Sequence, residues 1–196
     1  MATPVLILLA LTKESMGIYD AGSGTRTGHD ITKRQVDAIA GALERHGFIV
    51  KDIEMVPLGP EGWHRDRRQY NSRALLKMAR ERAARLSDWH VKVLLMTDAD
   101  IYDTDTVFVA GQAEVSGKAA VMSYARLGAR DEARFLKRVL KEALHELGHT
   151  LGLGHCRDHD CVMFMSRVLA DSDVKDHDFC KRCRTRAGRA LSSKRC

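Results

Sequence analysis

Residues 145–155 run His145-Glu146-Leu147-Gly148-His149-Thr150-Leu151-Gly152-Leu153-Gly154-His155, an HExxHxxGxxH arrangement. On a helix, His145 and His149 stand one turn apart and leave from the same face, so both can reach one ion. Glu146 sits about 100° further round. It falls outside that chelate but close enough to touch a water on the metal, which makes it the general-base candidate. A continued helix would carry His155 about 9 Å past His149. It joins the other two only if the chain turns sharply after Leu151, and Gly152 is the residue that takes φ > 0 there at little cost. Three nitrogen ligands leave the fourth position of a tetrahedral zinc open to water, as a catalytic site requires.

A second set of donors starts at the next residue. All five cysteines lie in the last 41 residues, at Cys156, Cys161, Cys180, Cys183 and Cys196. The first four form C-x4-C and C-x2-C pairs 18 residues apart. That spacing predicts a closed four-cysteine zinc site. Two disulfides are the competing arrangement, and they need an oxidising compartment or a thermophile cytosol. Cys196 is left over as a free thiol.

These donors need a scaffold. Leu136, Val139, Leu140, Ala143 and Leu147 recur at helical spacing, roughly opposite His145, so the helix can bury one side and show its ligands to a cleft. Asp131 and Glu132 suit its first turn. Upstream, strands are expected at Val5–Leu11, Phe48–Val56, His90–Thr97, Thr106–Ala110 and Ala119–Tyr124. Helices are expected at Thr32–His46, stopped by Gly47, and at Ser72–Leu86, capped by Asn71. Residues 57–71 read as a loop and Gly111–Gly117 as a turn. The β-α-β-α-β order implies an α/β (α+β) domain with a twisted, mixed but mostly parallel sheet. The Gly-rich stretch 17–31 reads as a long mobile loop over the cleft. Its Gly22-Ser23-Gly24-Thr25-Arg26-Thr27-Gly28 is spaced G-x-G-x3-G and lacks the phosphate-loop pattern.

A chain of 196 residues is long enough for one domain with a real core. The net charge of +6 is a property of the C-terminus. Seven of the 32 basic residues (Lys181, Arg182, Arg184, Arg186, Arg189, Lys194 and Arg195) lie in 181–196, which has no acid, leaving 25 basic against 26 acidic residues before it. Residues 184–196 are thus expected to be a basic tail, either solvated or a contact for nucleic acid. Pro4–Leu11 is apolar but has no basic n-region or small-residue cleavage site, and is too short to span a membrane. It reads as a buried strand of a cytoplasmic chain, expected to be a monomer without membrane contact.

The stretch from His145 to Cys183 resembles the metzincin clan of zinc peptidases and, within it, the archaemetzincin family. Metzincins share HExxHxxGxxH and a downstream methionine turn. The archaemetzincin pattern runs straight on into HC-x4-C-x-M and a later C-x2-C, matched here by His155-Cys156, Cys161, Met163, Cys180 and Cys183. The sixteen-residue gap from Met163 to Cys180 is about one shorter than that pattern. Weaker echoes lie at Thr97–Tyr102 and Ser123–Arg126. The resemblance implies two zinc ions: a catalytic one on His145, His149 and His155, and a structural one on Cys156, Cys161, Cys180 and Cys183. It also implies Glu146 as general base and acid, and Met163 as the turn methionine, with Met165 its neighbouring rival. The implied catalytic domain is 1–183, with an upper lobe (1–151) holding a backing helix and the active-site helix. A small lower lobe (152–183) carries the methionine turn and the four-cysteine element.

The leading expectation is hydrolysis of a peptide or protein by Glu146-assisted attack of a zinc-activated water, held latent if the 17–31 loop occludes the cleft. Tyr124 and Tyr102 are candidate oxyanion donors. Asp98, Asp100 and Asp103 would have to hold a free amine if the enzyme were an aminopeptidase. The edge strand, either Thr106–Ala110 or Ala119–Tyr124, would pair with an extended substrate. The alternative is a zinc-stabilised module that binds nucleic acid or protein, with a vestigial HExxH site.

Overall fold

A computed structural model describes residues 3–12, 31–166, 173 and 178–193. Cys196 and the glycine-rich stretch before Ile31 lie outside the described residues. Five strands form the main sheet: β1 (Val5–Thr12), β2 (Ile49–Pro57), β5 (Val91–Thr97), β7 (Gly111–Ala113) and β8 (Ala119–Ser123). Their order is β2-β1-β5-β8-β7, parallel except for the antiparallel β7–β8 pair. Every residue of β5 and β8 is buried, as expected for inner strands covered on both faces.

The period-2 pleat sorts those residues between two cores. Leu6, Leu8, Leu94, Met96, Ala120 and Met122 pack under helices α1 (Lys33–Arg45) and α3 (Glu132–Thr150). Ile7, Leu9, Val93, Leu95 and Val121 pack on the other face against Leu75, Leu76, Ala79 and Ala83 of α2 (Ser72–Ala84). Each helix starts on a side chain that suits its spare amides. Thr32 and Gln35 form a capping box on α1, Asn71 accepts from Arg73 and Ala74 on α2, and Asp131 accepts from Arg134 on α3. Gly47, at φ +90°, takes the chain out of α1. Among the described residues no helix is long and apolar enough to cross a membrane.

Three sequence expectations are corrected. Residues 57–71 contain β3 (Trp63–His64) and β4 (Gln69–Asn71), which join β6 (Ile101–Tyr102) in a second, three-stranded sheet. The expected strand Thr106–Ala110 is absent: Val109 makes a single bridge to Ile101, while Val107 is 76% exposed. Pairing begins instead at Gly111, inside the expected turn, because that segment folds back along β8; the turn proper follows Ala113. The edge of the main sheet beside α3 is therefore β7, and Ala119–Tyr124 supplies an inner strand. The basic C-terminal residues are helical as far as Ser193. Residues Lys181–Ser193 form helix α4, whose Cys183 and Ala187 are buried one turn apart in the α1–α3 core.

Candidate metal centres and active site

Helix α3 brings the first two imidazoles together. Its N-terminal half buries Phe135 and Val139, with Leu136 and Leu140 at the margin. From Ala143 to Gly148 every residue is buried, including His145 and Glu146. The helix then ends as expected. Gly152 adopts φ +83° and donates to the His149 carbonyl, while the Leu153 amide donates to the Gly148 carbonyl. This pair of bonds is a Schellman stop. It returns His155 to the other two rings, with centroids 5.3 Å from His145 and 5.1 Å from His149.

The ring nitrogens of His145 and His149 have divided roles. His145 Nδ1 donates to the Val162 carbonyl at 2.9 Å, and His149 Nδ1 donates to the Leu153 carbonyl at 2.8 Å. Each Nδ1 therefore carries a proton, and in the neutral ring each Nε2 keeps its lone pair. The two Nε2 atoms face each other at 3.2 Å. Two lone pairs at that distance repel unless a cation lies between them, and ligands on one tetrahedral zinc stand about 3.3 Å apart. One donor atom from each of His145, His149 and His155 lies within 4.8 Å of the others. Burial, opposed by the Leu153 bond and reinforced by His155, lowers the pKa of His149 and so favours the neutral, ligating form. The donor set fits zinc.

Glu146 is fixed from the neighbouring strand. A Cβ on Gly111 of β7 would stand 2.6 Å from the Cγ, Cδ and Oε1 of Glu146. The edge strand therefore lies directly on the carboxyl-bearing arm, and only glycine permits the approach. The same hairpin also reaches the second histidine, where the Ser116 amide donates to the His149 carbonyl at 3.0 Å. Gly111→Ala must push Glu146 aside. We expect a fall in kcat on the order of 10- to 100-fold with zinc content unchanged, and unaltered kcat would show that the packing does not position the carboxylate.

Within the core, Met163 is fully buried and packs on Gly148 of α3, where a Cβ would lie 2.3 Å from its sulfur. Met165 is 45% exposed, so of the two methionines Met163 is the buried one. Sequence reasoning passed over Gly148 and Gly111. A glycine inside α3 is costly enough to have been a signal; Gly111 was hidden by its assignment to a turn.

The four expected cysteines converge too. Cys156, Cys161, Cys180 and Cys183 each place sulfur within 4.8 Å of the others. All four are free thiols, and Cys156 and Cys180 are 3.9 Å apart. That exceeds a disulfide bond but suits thiolates on a shared zinc, which stand about 3.8 Å apart. Burial first, and then the Cys180 thiol, push the Cys183 pKa up. A bound cation would offset that cost and favour the Cys183 thiolate. The Cys180 amide donates to the Cys161 sulfur at 3.4 Å.

The two clusters are stitched together. Cys156 follows His155, and its amide donates to the Met163 carbonyl at 2.9 Å. Cys161 precedes Val162, whose carbonyl orients His145.

Other candidates take different places. Tyr124 is buried against Phe135, and Tyr102 lies under Arg67 and edge-on to His64. Asp100 is held by both Arg126 and Gln69, and Asp103 by Arg73. Asp98 is buried near Tyr70, whose pKa is pushed up to about 12 by burial first and then by the charges of Asp98 and Glu61. The Arg126–Asp100 pair, with the Ser123 hydroxyl on the Ala99 carbonyl, ties together the two segments that weakly echo the family pattern.

The sequence profile of peptidase family M54 matches residues 58–189. The chain belongs to that family. The archaemetzincin of Methanopyrus kandleri is 44% identical over 153 residues, covering 76% of this chain and 85% of the relative. That of Archaeoglobus fulgidus is 41% identical over 122 residues, covering 62% and 70%. The crystal structure of the Methanopyrus kandleri archaemetzincin superposes with a TM-score of 0.75 at 34% identity, over 97% of this chain and 96% of that one. The Archaeoglobus fulgidus archaemetzincin complexed with malonate gives 0.73 at 30% identity, over 93% and 99%. The M54 assignment places the chain among the zinc metallopeptidases, and the mixed, mainly parallel sheet and cysteine cluster agree with it.

Proposed function

We propose that the chain hydrolyses peptide bonds at a zinc ion held by His145, His149 and His155, with Glu146 as general base and acid. The observation that carries this is the facing Nε2 pair, held 3.2 Å apart with both Nδ1 protons committed to backbone carbonyls. Zinc bound there supplies Lewis acidity, lowering the pKa of a water and polarising a carbonyl. Glu146, 5% exposed and braced by Gly111, takes a proton from the attacking water and returns it to the leaving amine. The outer edge of β7 lies at the end of the sheet beside Glu146. An extended peptide adds there as a further strand, its backbone paired and its scissile carbonyl carried toward the imidazoles. A second zinc on Cys156, Cys161, Cys180 and Cys183 is structural, because four protein ligands leave no open position.

The test is cleavage of a quenched-fluorescent peptide library by the zinc-loaded chain. Hydrolysis should disappear on chelation and return when zinc is restored. Cleavage indifferent to chelation would contradict the proposal.

A further inference from the structure

Helix α4 has two unlike faces. Cys183 and Ala187 are buried in the core, and Arg184 is paired with Asp178. Lys181, Arg182, Arg186 and Arg189 are exposed, and among the described residues none of them makes an ion pair. At 100° per residue these four fall within an arc of about 140°. Arg182, Arg186 and Arg189 stand at i, i+4 and i+7, a stripe along one side. Elsewhere exposed cations are repeatedly matched with acids: Arg34 with Glu132, Arg73 with Asp103, Arg80 with Glu114 and Arg126 with Asp100.

Nothing local to the helix favours this stripe. Like charges at i, i+3 and i, i+4 repel, and Lys181 and Arg182 sit at the positive end of the helix dipole. The segment contains no acid to offset them. The helix is nevertheless fixed, because Cys183 ties its first turn to the cysteine cluster. A rigid row of arginines one helical turn apart suits a regularly spaced polyanion. Guanidinium groups bind phosphate with paired donors, so the row favours a sugar–phosphate backbone.

We propose that the outer face of α4 is a docking surface for nucleic acid, engaged through the phosphates without base readout. It is separate from the histidine site and does not depend on the peptidase reading.

Fluorescence anisotropy of a labelled mixed-sequence DNA duplex with the zinc-loaded full chain tests this. Binding should weaken with salt at a log–log slope of about −3 to −4, the value for four phosphate contacts. The triple variant Arg182→Glu, Arg186→Glu, Arg189→Glu should lose at least about tenfold in affinity at low salt, with zinc content and far-ultraviolet circular dichroism retained. If that variant fails to fold, the triple glutamine variant should show the loss, and the triple lysine variant should still bind. No binding by the parent chain, salt-independent binding, or unchanged affinity in the folded Glu or Gln variant would overturn the proposal. So would displacement of the duplex by polyglutamate as effectively as by unlabelled duplex, which would point to an acidic protein partner.

Discussion

Glu146→Ala is expected to lower kcat by about 10²- to 10⁴-fold, the usual contribution of a positioned acid–base group, with zinc still bound. The separation follows from geometry. The three clustered donor atoms belong to His145, His149 and His155, whereas the Glu146 arm packs on Gly111 of β7. Removing the carboxylate leaves both carbonyl-anchored imidazoles in place. Glu146→Gln keeps the shape of the arm and loses the base, so it should fail almost as completely. Steady-state kinetics and metal analysis on the same samples check both halves. A variant that hydrolyses peptide at the parent rate would remove Glu146 from the mechanism.

Cys180→Ser carries the second large effect, and it reaches a site that Cys180 does not touch. Loss of one thiolate from a four-sulfur site is expected to cost at least about 3 kcal/mol, or roughly 10 °C in Tm. The loss should propagate. Cys161 adjoins Val162, whose carbonyl fixes His145, and Cys156 adjoins His155 and is bonded to Met163. Loosening the cysteine cluster therefore frees the carbonyl that orients His145 and the backbone that carries His155. Losses of that kind weaken metal binding by about 10- to 100-fold. Competition with a graded series of chelators would measure it. Full affinity at the histidine site in this variant would show that the clusters are neighbours without coupling.

The donors of both clusters were legible because metal chemistry restricts residue type and spacing together. His145 and His149 at i, i+4, with Gly152 ahead of His155, rarely coincide in a chain that has no metal to bind, and the Schellman stop at Gly152 formed where spacing required it. The inner strands were legible from their apolar runs. The edge was not. Gly111-Gln112-Ala113 has weak strand propensity and becomes β7 only because β8 offers its backbone. Misplacing that strand also concealed the contact that positions Glu146. Helix α4 was obscured differently: its charge suggested a solvated tail, while Cys183 and Ala187, one turn apart, marked the buried side that anchors it.

A histidine cluster that is a zinc site of its own has a direct readout in metal content. Zinc per chain should be two in the parent protein. It should fall to one in His149→Ala, with the remaining ion resistant to the chelator that strips the first. A His149→Ala chain that holds as much zinc as the parent would show that the imidazoles hold no ion of their own.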